Sequence, residues 1–409
     1  MFTSLHVRNF RLFFWGQFVS QIGNWLTLVA QTLLVLKLTG SGVKLGLLSA
    51  AQFGPVLLFG AFAGLVADRS DKRKLLLRVQ VFAMFQSFCL AALASLDRPP
   101  VLAIYVVAMA GGFATALDNP ARRSFVVEMV PEANITNAVS LNTALMTGAR
   151  VVGPALAGLL VTMFGFSWAF LLDGLSYLAV LYGYWRMDPT QNRKAVKTPK
   201  GKGQVREGIQ YARSLPELFV PLMMMAVIGT FSFNFQTVLP LFATRDLAGR
   251  TNTFTLLMSV LSIGSLAAAL ATARRKTISV RTVCRSGVAF GVAMAVLAVA
   301  PNQPAAFIVG GFVGLSSVWF MTSSTAIVQL RADPMMRGRV LSLQTMLLLG
   351  STPIGGPILG YVSQHLGARY GLGLGSVAAV LAGVWGLMNL RRHGQLGLSA
   401  TVTAHPAAA

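Results

Sequence analysis

Long apolar segments recur along almost the whole chain and are separated by short polar connections. A membrane-spanning helix needs about 20 mostly apolar residues, and the pattern predicts twelve such helices. The predicted spans cover 12–37, 44–67, 75–96, 100–118, 137–163, 167–186, 218–244, 252–273, 282–300, 304–328, 338–364 and 370–390. We therefore expect an all-α membrane protein.

The longest polar connection, 187–216, divides the spans into two sets of six. It ends in "VREGIQYARSL", which has the pattern of an amphipathic helix at a membrane surface, after a run of basic residues at Arg193, Lys194, Lys197, Lys200 and Lys202. The predicted organisation is a six-helix bundle over 1–186, a cytoplasmic linker over 187–216, a second bundle over 217–392 and a disordered cytoplasmic tail over 393–409.

Composition supports the membrane assignment. Of the 409 residues, 55% are hydrophobic and only 11% are charged, which is too apolar for an ordinary soluble domain. The net charge of +22 would suit nucleic acid, but the position of the charges argues against that partner. When both termini are placed in the cytoplasm, 27 Lys and Arg residues fall on the inner side and 6 on the outer side. This positive-inside bias predicts a multi-pass protein of the cytoplasmic (inner) membrane, embedded in the lipid bilayer with both termini inside.

The two sets of spans contain an internal repeat. The segment "SLNTALMTGARVVGPALAGLLVTMFG" (140–165) matches "SLQTMLLLGSTPIGGPILGYVSQHLG" (342–367) at a constant offset of 202 residues. The fifth span therefore corresponds to the eleventh, and the halves are parallel repeats. Two parallel six-helix repeats are typical of transporters whose halves rock about a substrate site between them.

One charge inside this repeat needs an explanation. Arg150 lies in the middle of the fifth span, where its counterpart in the second half is Thr352. An ionised residue at this depth is a functional-site hypothesis by default, and Arg150 is the leading candidate for ion coupling. The acids within or near the first-half spans, Asp173 and Asp118, are its candidate partners. For Asp173 the alternative is a fixed structural ion pair or hydrogen bond near the outer interface. For Asp118 with Arg122 and Arg123, a structural cluster at a solvated helix end is the alternative.

Several motifs resemble those of the major facilitator superfamily. "GLVADRSDKRKLL" (64–76) is similar to the loop motif of that superfamily, and "GARVVGPALAG" (148–158) is similar to its antiporter motif in helix five. "FRLFFWGQFVSQIGNWLT" and "ALDNPARRSFVVEMVPE" resemble the branch of transmembrane secretion effectors, which includes enterobactin exporters and macrolide efflux proteins. The resemblance implies twelve helices in the major facilitator fold.

The resemblance also implies a gate at the loop motif, whose key positions are Gly64, Asp68, Arg69, Lys72 and Arg73. Asp68 would accept hydrogen bonds from the N-terminus of helix eleven, near residues 339–342, in one rocking state. A simple anchoring cluster of charges is the alternative. Two positions depart from the pattern: Asp71 replaces the second glycine of the loop motif, and Asn24 stands where relatives often carry an acid.

The helix-five motif supplies a face of small residues. Arg150, Gly153, Pro154, Ala157 and Gly158 share one side of a helix, and Gly148 lies two residues before Arg150. We expect this face to meet the opposite half, with Arg150 directed toward protein or a cavity. Ordinary close packing of helices explains the glycines equally well.

The sequence contains no Walker motif and no His/Cys zinc cluster, so we expect no enzyme activity, cofactor or metal. The leading hypothesis is a monomeric, proton-coupled exporter of an amphipathic small molecule of the drug, macrolide or siderophore class. A lipid-handling or uptake transporter of the same fold and a non-transporting scaffold or sensor are the alternatives. Polar and aromatic residues that could line a substrate cavity are Gln21, Asn24, Asn234, Gln236 and Trp319.

Overall fold

A computed structural model describes residues 3–191, 204–249, 251–273, 277–349, 351–392 and 400–401. These ranges contain fifteen α-helices: α1 (Arg8–Thr39), α2 (Gly42–Arg69), α3 (Lys72–Ala94), α4 (Val101–Glu128), α5 (Ile135–Met163), α6 (Phe166–Arg186), α7 (Gln204–Ser214), α8 (Pro216–Phe231), α9 (Phe235–Leu241), α10 (Thr251–Ala273), α11 (Val280–Ala298), α12 (Gln303–Arg331), α13 (Pro334–Leu349), α14 (Thr352–His365) and α15 (Ala368–Arg392). Short 3-10 helices cover Thr3–His6, Glu132–Asn134 and Pro189–Gln191.

The prediction of twelve membrane spans is confirmed, because twelve helical segments are long and apolar enough to cross a bilayer. The seventh span is not one continuous helix: it consists of α8, α9 and a π-helical turn, Phe242–Asp246. The eleventh span contains α13 and α14, on either side of residue 350, which lies outside the described part of the chain.

Local chemistry explains the interruption of the seventh span. Between α8 and α9, the Asn234 side-chain amide donates to the Thr230 carbonyl at 2.7 Å, so a side chain replaces a backbone donor. Hydropathy does not register this feature, since it measures polarity and not backbone bonding.

Helix ends carry the capping residues that the chain's short connections require. Gly40 ends α1 in the left-handed region with φ of 58°, which glycine adopts without strain. Ser41 then caps α2 and accepts from the Lys44 N–H, while Asp71 caps α3 and accepts from the Lys74 N–H. Asp71 is thus a helix cap at the position where the loop motif usually has glycine.

We call residues 3–191 the first half and 204–392 the second half. The end of the bundle where α1 begins and α15 ends is the termini end, and the other is the far end. At the far end, one continuous apolar core joins the halves: it includes Val35 and Leu45 of the first half and Leu241 and Leu359 of the second. This core continues through the second half toward the termini end, where it includes Val280 and Leu390. The first half has a separate cluster there, around Phe10, Phe125 and Tyr184, and the second half has a smaller one around Leu218, Val328 and Val340.

Polar contacts also join the halves at the far end. The Gln364 side-chain oxygen accepts from the Ser41 hydroxyl at 2.6 Å and from the Val43 N–H at 3.1 Å. Arg245 donates to the Gly40 carbonyl at 2.6 Å. The far end is therefore closed by both apolar and polar contacts.

Glycines allow the helices to approach closely at this end. A side chain on Gly42 would meet the Gly360 carbonyl, and one on Gly46 would meet the Gly356 carbonyl. Toward the termini end of the same helix, a side chain on Gly54, Gly60 or Gly64 would meet nothing within 4 Å. Helices α2 and α14 are in contact where α2 begins, whereas the three later glycines of α2 face open space.

The linker helix α7 lies against the second half. The Tyr211 hydroxyl accepts from the Asp333 N–H at 2.9 Å, Glu207 pairs with Arg339, and Ala212 is buried in the apolar cluster of this half. Its apolar face therefore packs on protein and does not depend on a lipid surface. The basic run predicted between 193 and 202 falls outside the described residues.

The predicted tail is described at two residues. Strand β2 (Ala400–Thr401) pairs antiparallel with β1 (Thr277–Ile278). Residues 393–399 and 402–409 lie outside the described part of the chain, so the expectation of disorder applies to a segment that the structure leaves out.

Candidate functional site

A stripe of polar side chains runs along α1 through the first half. Its members recur at helical spacing and face the interior of the bundle: Gln17, Gln21, Asn24, Thr27 and Gln31. Sequence analysis singled out Gln21 and Asn24 but missed the others. Their spacing of three and four within an apolar span was the signal that could have identified the whole stripe.

The stripe is continued by hydrogen bonds to other helices of the first half. The Tyr184 hydroxyl accepts from Gln17 at 3.0 Å, and Gln21 donates to Gln17 at 3.2 Å. Tyr177 donates to Asn24 at 2.9 Å, and Gln52 of α2 donates to Gln31 at 2.8 Å. Gln21 and Asn24 therefore belong to a hydrogen-bond network inside the first half, and their expected place in a substrate cavity stays a prediction.

Asp118 and Arg122 form a buried ion pair near the termini end of this stripe. The Arg122 Nε lies 3.1 Å from the Asp118 carboxylate, and both side chains are largely buried. Gln80 of α3 also donates to Asp118 at 2.8 Å, and Arg122 reaches Gln17 of the stripe at 3.4 Å. The alternative of a solvated helix end fits only Arg123, whose side chain is exposed.

Asp173 lies deep in the first half, with only 1% of its surface exposed. Its Oδ2 accepts from the hydroxyls of Thr27 and Ser87, each at 2.7 Å, while Oδ1 has no hydrogen-bond partner. Gly23 of α1 packs directly on the carboxylate, because any side chain there would meet Oδ1. Two hydroxyls and a glycine thus hold a buried carboxylate with no cation against it.

Arg150 contacts an aromatic ring and no acid. Its guanidinium carbon lies 5.3 Å from the centre of the Trp25 ring, and its buried Nε has no hydrogen-bond partner among the described residues. A cation–π contact contributes about 0.5–2 kcal/mol, whereas an arginine at mid-bilayer costs about 2.5–3.5 kcal/mol on insertion scales. The contact with Trp25 offsets part of the free-energy cost of placing Arg150 in the bilayer. It leaves most of the hydrogen-bond donors of the guanidinium without an acceptor among the described residues.

The structure therefore does not bring the three coupling candidates together. Asp118 pairs with Arg122, Asp173 accepts from hydroxyls, and Arg150 lies on Trp25. The expectation that Arg150 pairs with either acid was wrong. Sequence spacing places residues on a helix face, but it does not give the distance between helices.

The small-residue face of α5 serves two contacts and not one. Gly153 packs on Trp25 of α1 within the first half, and Gly148 lies near Phe18 of the same helix. Gly158 packs on Thr255 of α10 and thus reaches the second half. The expectation that the small-residue face meets the opposite half holds for Gly158 and fails for Gly153, while Pro154 is buried.

The basic residues of the loop motif bind within the first half. Lys72 pairs with Glu128 at 2.6 Å, and Arg73 donates to the Tyr184 and Trp185 carbonyls at 2.7 and 3.1 Å. Arg69 is exposed, and Gly64 faces open space. The side chain of Asp68 lies outside the described part of the structure, so its expected contact with helix eleven stays a prediction.

Further clamps hold each half together at the termini end. In the first half, Asn9 exchanges hydrogen bonds with the backbone of Asp188 just after α6. Hydrogen bonds from Thr190 lower the pKa of this exposed Asp188 carboxyl. In the second half, Arg331 pairs with Glu217 at 3.0 Å. These contacts stiffen each half without joining the two.

The second-half cavity candidates lie around the break between α8 and α9. Asn234 is buried at the break, and its Oδ1 has no hydrogen-bond partner. Gln236 and Trp319 are partly exposed. Among the described residues, no group of three His, Cys, Asp or Glu side chains is placed to hold a metal ion.

Comparison with known proteins agrees with this architecture. A family model described as "Transmembrane secretion effector" matches residues 1–402. The chain is similar to the staphyloferrin A transporter of Staphylococcus aureus (strain NCTC 8325 / PS 47), with 26% identity over 87% of this chain and 90% of that protein. It is also similar to macrolide efflux protein A of Streptococcus pyogenes, with 23% identity over 87% of this chain and 89% of that protein.

Solved structures agree at the level of the fold. A bacterial homologue of the human lysosomal transporter Spinster, in an inward-facing and unoccupied conformation, superposes with a TM-score of 0.74 and 14% identity, covering 94% of this chain and 96% of that chain.

The twelve apolar helices make the chain a multi-pass membrane protein, and the family match makes it a transporter of the major facilitator type. Within that class, the chain belongs to the transmembrane secretion effector family.

Proposed function

We propose that the protein is a proton-coupled exporter that carries amphipathic small molecules across the cytoplasmic membrane by alternating access. The observation that carries this proposal is the one-sided contact between the halves. A shared apolar core joins the halves at the far end, and at the termini end the first half has a core of its own. Such an arrangement suits two bodies that rock about a site between them.

The orientation follows from the charge bias. With both termini in the cytoplasm, the closed far end faces outward and the termini end is open to the cytoplasm. A substrate of an exporter would enter from this side. The names of the relatives, which include a macrolide efflux protein and a staphyloferrin transporter, support a small-molecule substrate.

The Asp118–Arg122 pair is the favoured proton site. Protonation of Asp118 would remove its charge, so Arg122 would lose its ionic partner and keep its contact with Gln17 of the stripe. The stripe connects α1 to α6 through Tyr184 and Tyr177. A change at one carboxylate can therefore alter the packing of several helices of the first half. Asp173, with one oxygen unpartnered, is a second site of the same kind.

Flux in proteoliposomes under an imposed pH gradient tests the proposal. Wild-type protein should transport members of a panel of amphipathic drugs, macrolides and siderophores only when the gradient is present. Asp118→Asn should remove gradient-driven flux, because the asparagine cannot exchange a proton, while Glu217→Gln at the surface of the second half should retain it.

The Asp118→Asn variant also leaves Arg122 unpaired, and losing one partner of a buried pair costs about 3–5 kcal/mol. The double variant Asp118→Asn/Arg122→Gln should regain most of the lost thermal stability without regaining coupled flux. Gradient-driven flux in a folded Asp118→Asn variant would remove Asp118 from the mechanism. Absence of flux for the wild type with the whole panel would favour a non-transporting role.

A further inference from the structure

Arg150 is a cation without an acidic partner at the middle of a span. The two acids within the first-half spans are engaged elsewhere, Asp118 by Arg122 and Gln80, and Asp173 by Thr27 and Ser87. Neither α10 nor α14, which contact the first half, contains an Asp or Glu in its sequence. Among the described residues, no carboxylate pairs with this guanidinium.

The position of Arg150 suits a residue that binds a transported molecule. It lies two helical turns along α5 from Gly158, the point where this helix touches Thr255 of the second half. Positions eight residues apart share a helix face, so Arg150 lies on the face of α5 that reaches the second half at Gly158, and its side chain is partly exposed.

The pairing with Trp25 gives the site its chemistry. The guanidinium lies over the indole ring, and its buried Nε has no acceptor. A guanidinium presents paired donors that match a carboxylate, and the indole offers an apolar surface beside them. Gly153 permits this arrangement, because any side chain there would meet Trp25.

We propose that Arg150 and Trp25 form the recognition site for an anionic substrate, and that the transported molecules are amphipathic carboxylates. The carboxylate would accept hydrogen bonds from Arg150, and the apolar part of the molecule would pack on Trp25. This inference rests on the proposed transport function and names the substrate class for it. It disfavours lipophilic cations, since an uncompensated positive charge at the junction repels them.

The repeat supplies a comparison within the molecule. The position equivalent to Arg150 is Thr352, at the first turn of α14. The second half thus has no cation at the position equivalent to Arg150. Only the first half supplies an anion-binding side chain to the site. A substrate with a single carboxylate and an apolar remainder fits that asymmetry.

The test measures binding of a matched pair of probes to purified, full-length protein by calorimetry. The probes are 1-naphthylacetate, an aromatic carboxylate, and 1-naphthylacetamide, its neutral amide of nearly equal size. Wild-type protein should bind the carboxylate at least about tenfold more tightly than the amide, as expected for a charge-assisted bidentate contact. This comparison needs no variant and so does not depend on how a mutant folds.

Variants then locate the preference. Arg150→Gln should weaken carboxylate binding about tenfold and leave amide binding unchanged, whereas Arg150→Lys should retain part of the preference. Arg98→Gln, which removes an exposed loop arginine, should behave like the wild type. Equal binding of both probes by the wild type, no saturable binding of the carboxylate, or an unchanged preference in Arg150→Gln would overturn the proposal.

The outcome is separable from that of the transport proposal. Gradient-driven flux that selects neutral or cationic molecules would contradict the anion site and still support coupled transport. Preferential carboxylate binding without gradient-driven flux would support the anion site and contradict coupled transport.

Discussion

The two ends of the molecule are built from the same helices but held together differently. At the far end, Gln364 of α14 bonds to the first turn of α2, and glycines bring the backbones of these helices into contact. At the termini end, the strong contacts, such as Lys72 with Glu128 and Arg331 with Glu217, stay within one half. Each half is therefore stiffened by its own contacts. The contacts between the two halves are confined to interactions that can be broken and remade.

Gly46→Ala should have the largest effect on this difference. The added methyl group would meet the Gly356 carbonyl and the Pro357 backbone, neither of which can move as a flexible side chain would. Overpacking of this kind costs about 1–3 kcal/mol, and the cost falls on the closed far end alone. Spin labels at Lys44 and His365, on the two sides of this contact, should report a larger distance.

Gly54→Ala is the matched control on the same helix. A side chain at this position meets nothing within 4 Å, and alanine favours a helix over glycine by up to about 1 kcal/mol. This variant should leave the Lys44–His365 distance unchanged. If both variants changed the Lys44–His365 distance equally, the glycines would act on helix stability and not on the contact between the halves at the far end.

Gln364→Leu should have a smaller effect in the same direction. The variant loses the acceptor for the Ser41 hydroxyl and the Val43 N–H, and a typical hydrogen bond contributes about 0.5–1.5 kcal/mol. The same pair of labels should show a shift of population toward the open far end.

Gln303→Leu provides the comparison, because Gln303 bonds to Thr253 and the Leu247 carbonyl within the second half at the same end. Its loss should lower thermal stability without moving the labels. A population shift in Gln303→Leu as large as that in Gln364→Leu would show that Gln364 is not specific to the contact between halves.

The sequence predicted the number of spans and the family, because twenty-residue apolar runs and local motifs are properties of contiguous residues. It did not predict the break at Asn234, which depends on a side chain bonding to the backbone. The seventh span therefore looks continuous in hydropathy and is not.

The site was predicted less completely than the fold. Arg150 was identified from its polarity alone, but its neighbour Trp25 and the separate partners of Asp118 and Asp173 depend on how α1, α3, α4 and α5 pack. Pairing between residues far apart in sequence is set by helix crossing, which neither spacing nor composition encodes. The polar stripe of α1 was readable from its spacing and was recognised only in part.

Alternating access requires the two ends to move in opposite senses, and one measurement tests that directly. Two pairs of spin labels are introduced into protein with Cys89 and Cys284 replaced: Lys44 with His365 at the far end, and Leu65 with Ser342 at the termini end. Distances are then recorded by pulsed electron resonance in lipid nanodiscs at acidic and alkaline pH. Alternating access predicts that the Lys44–His365 distance lengthens when the Leu65–Ser342 distance shortens. Two distances that stay fixed, or that lengthen and shorten together, would contradict it.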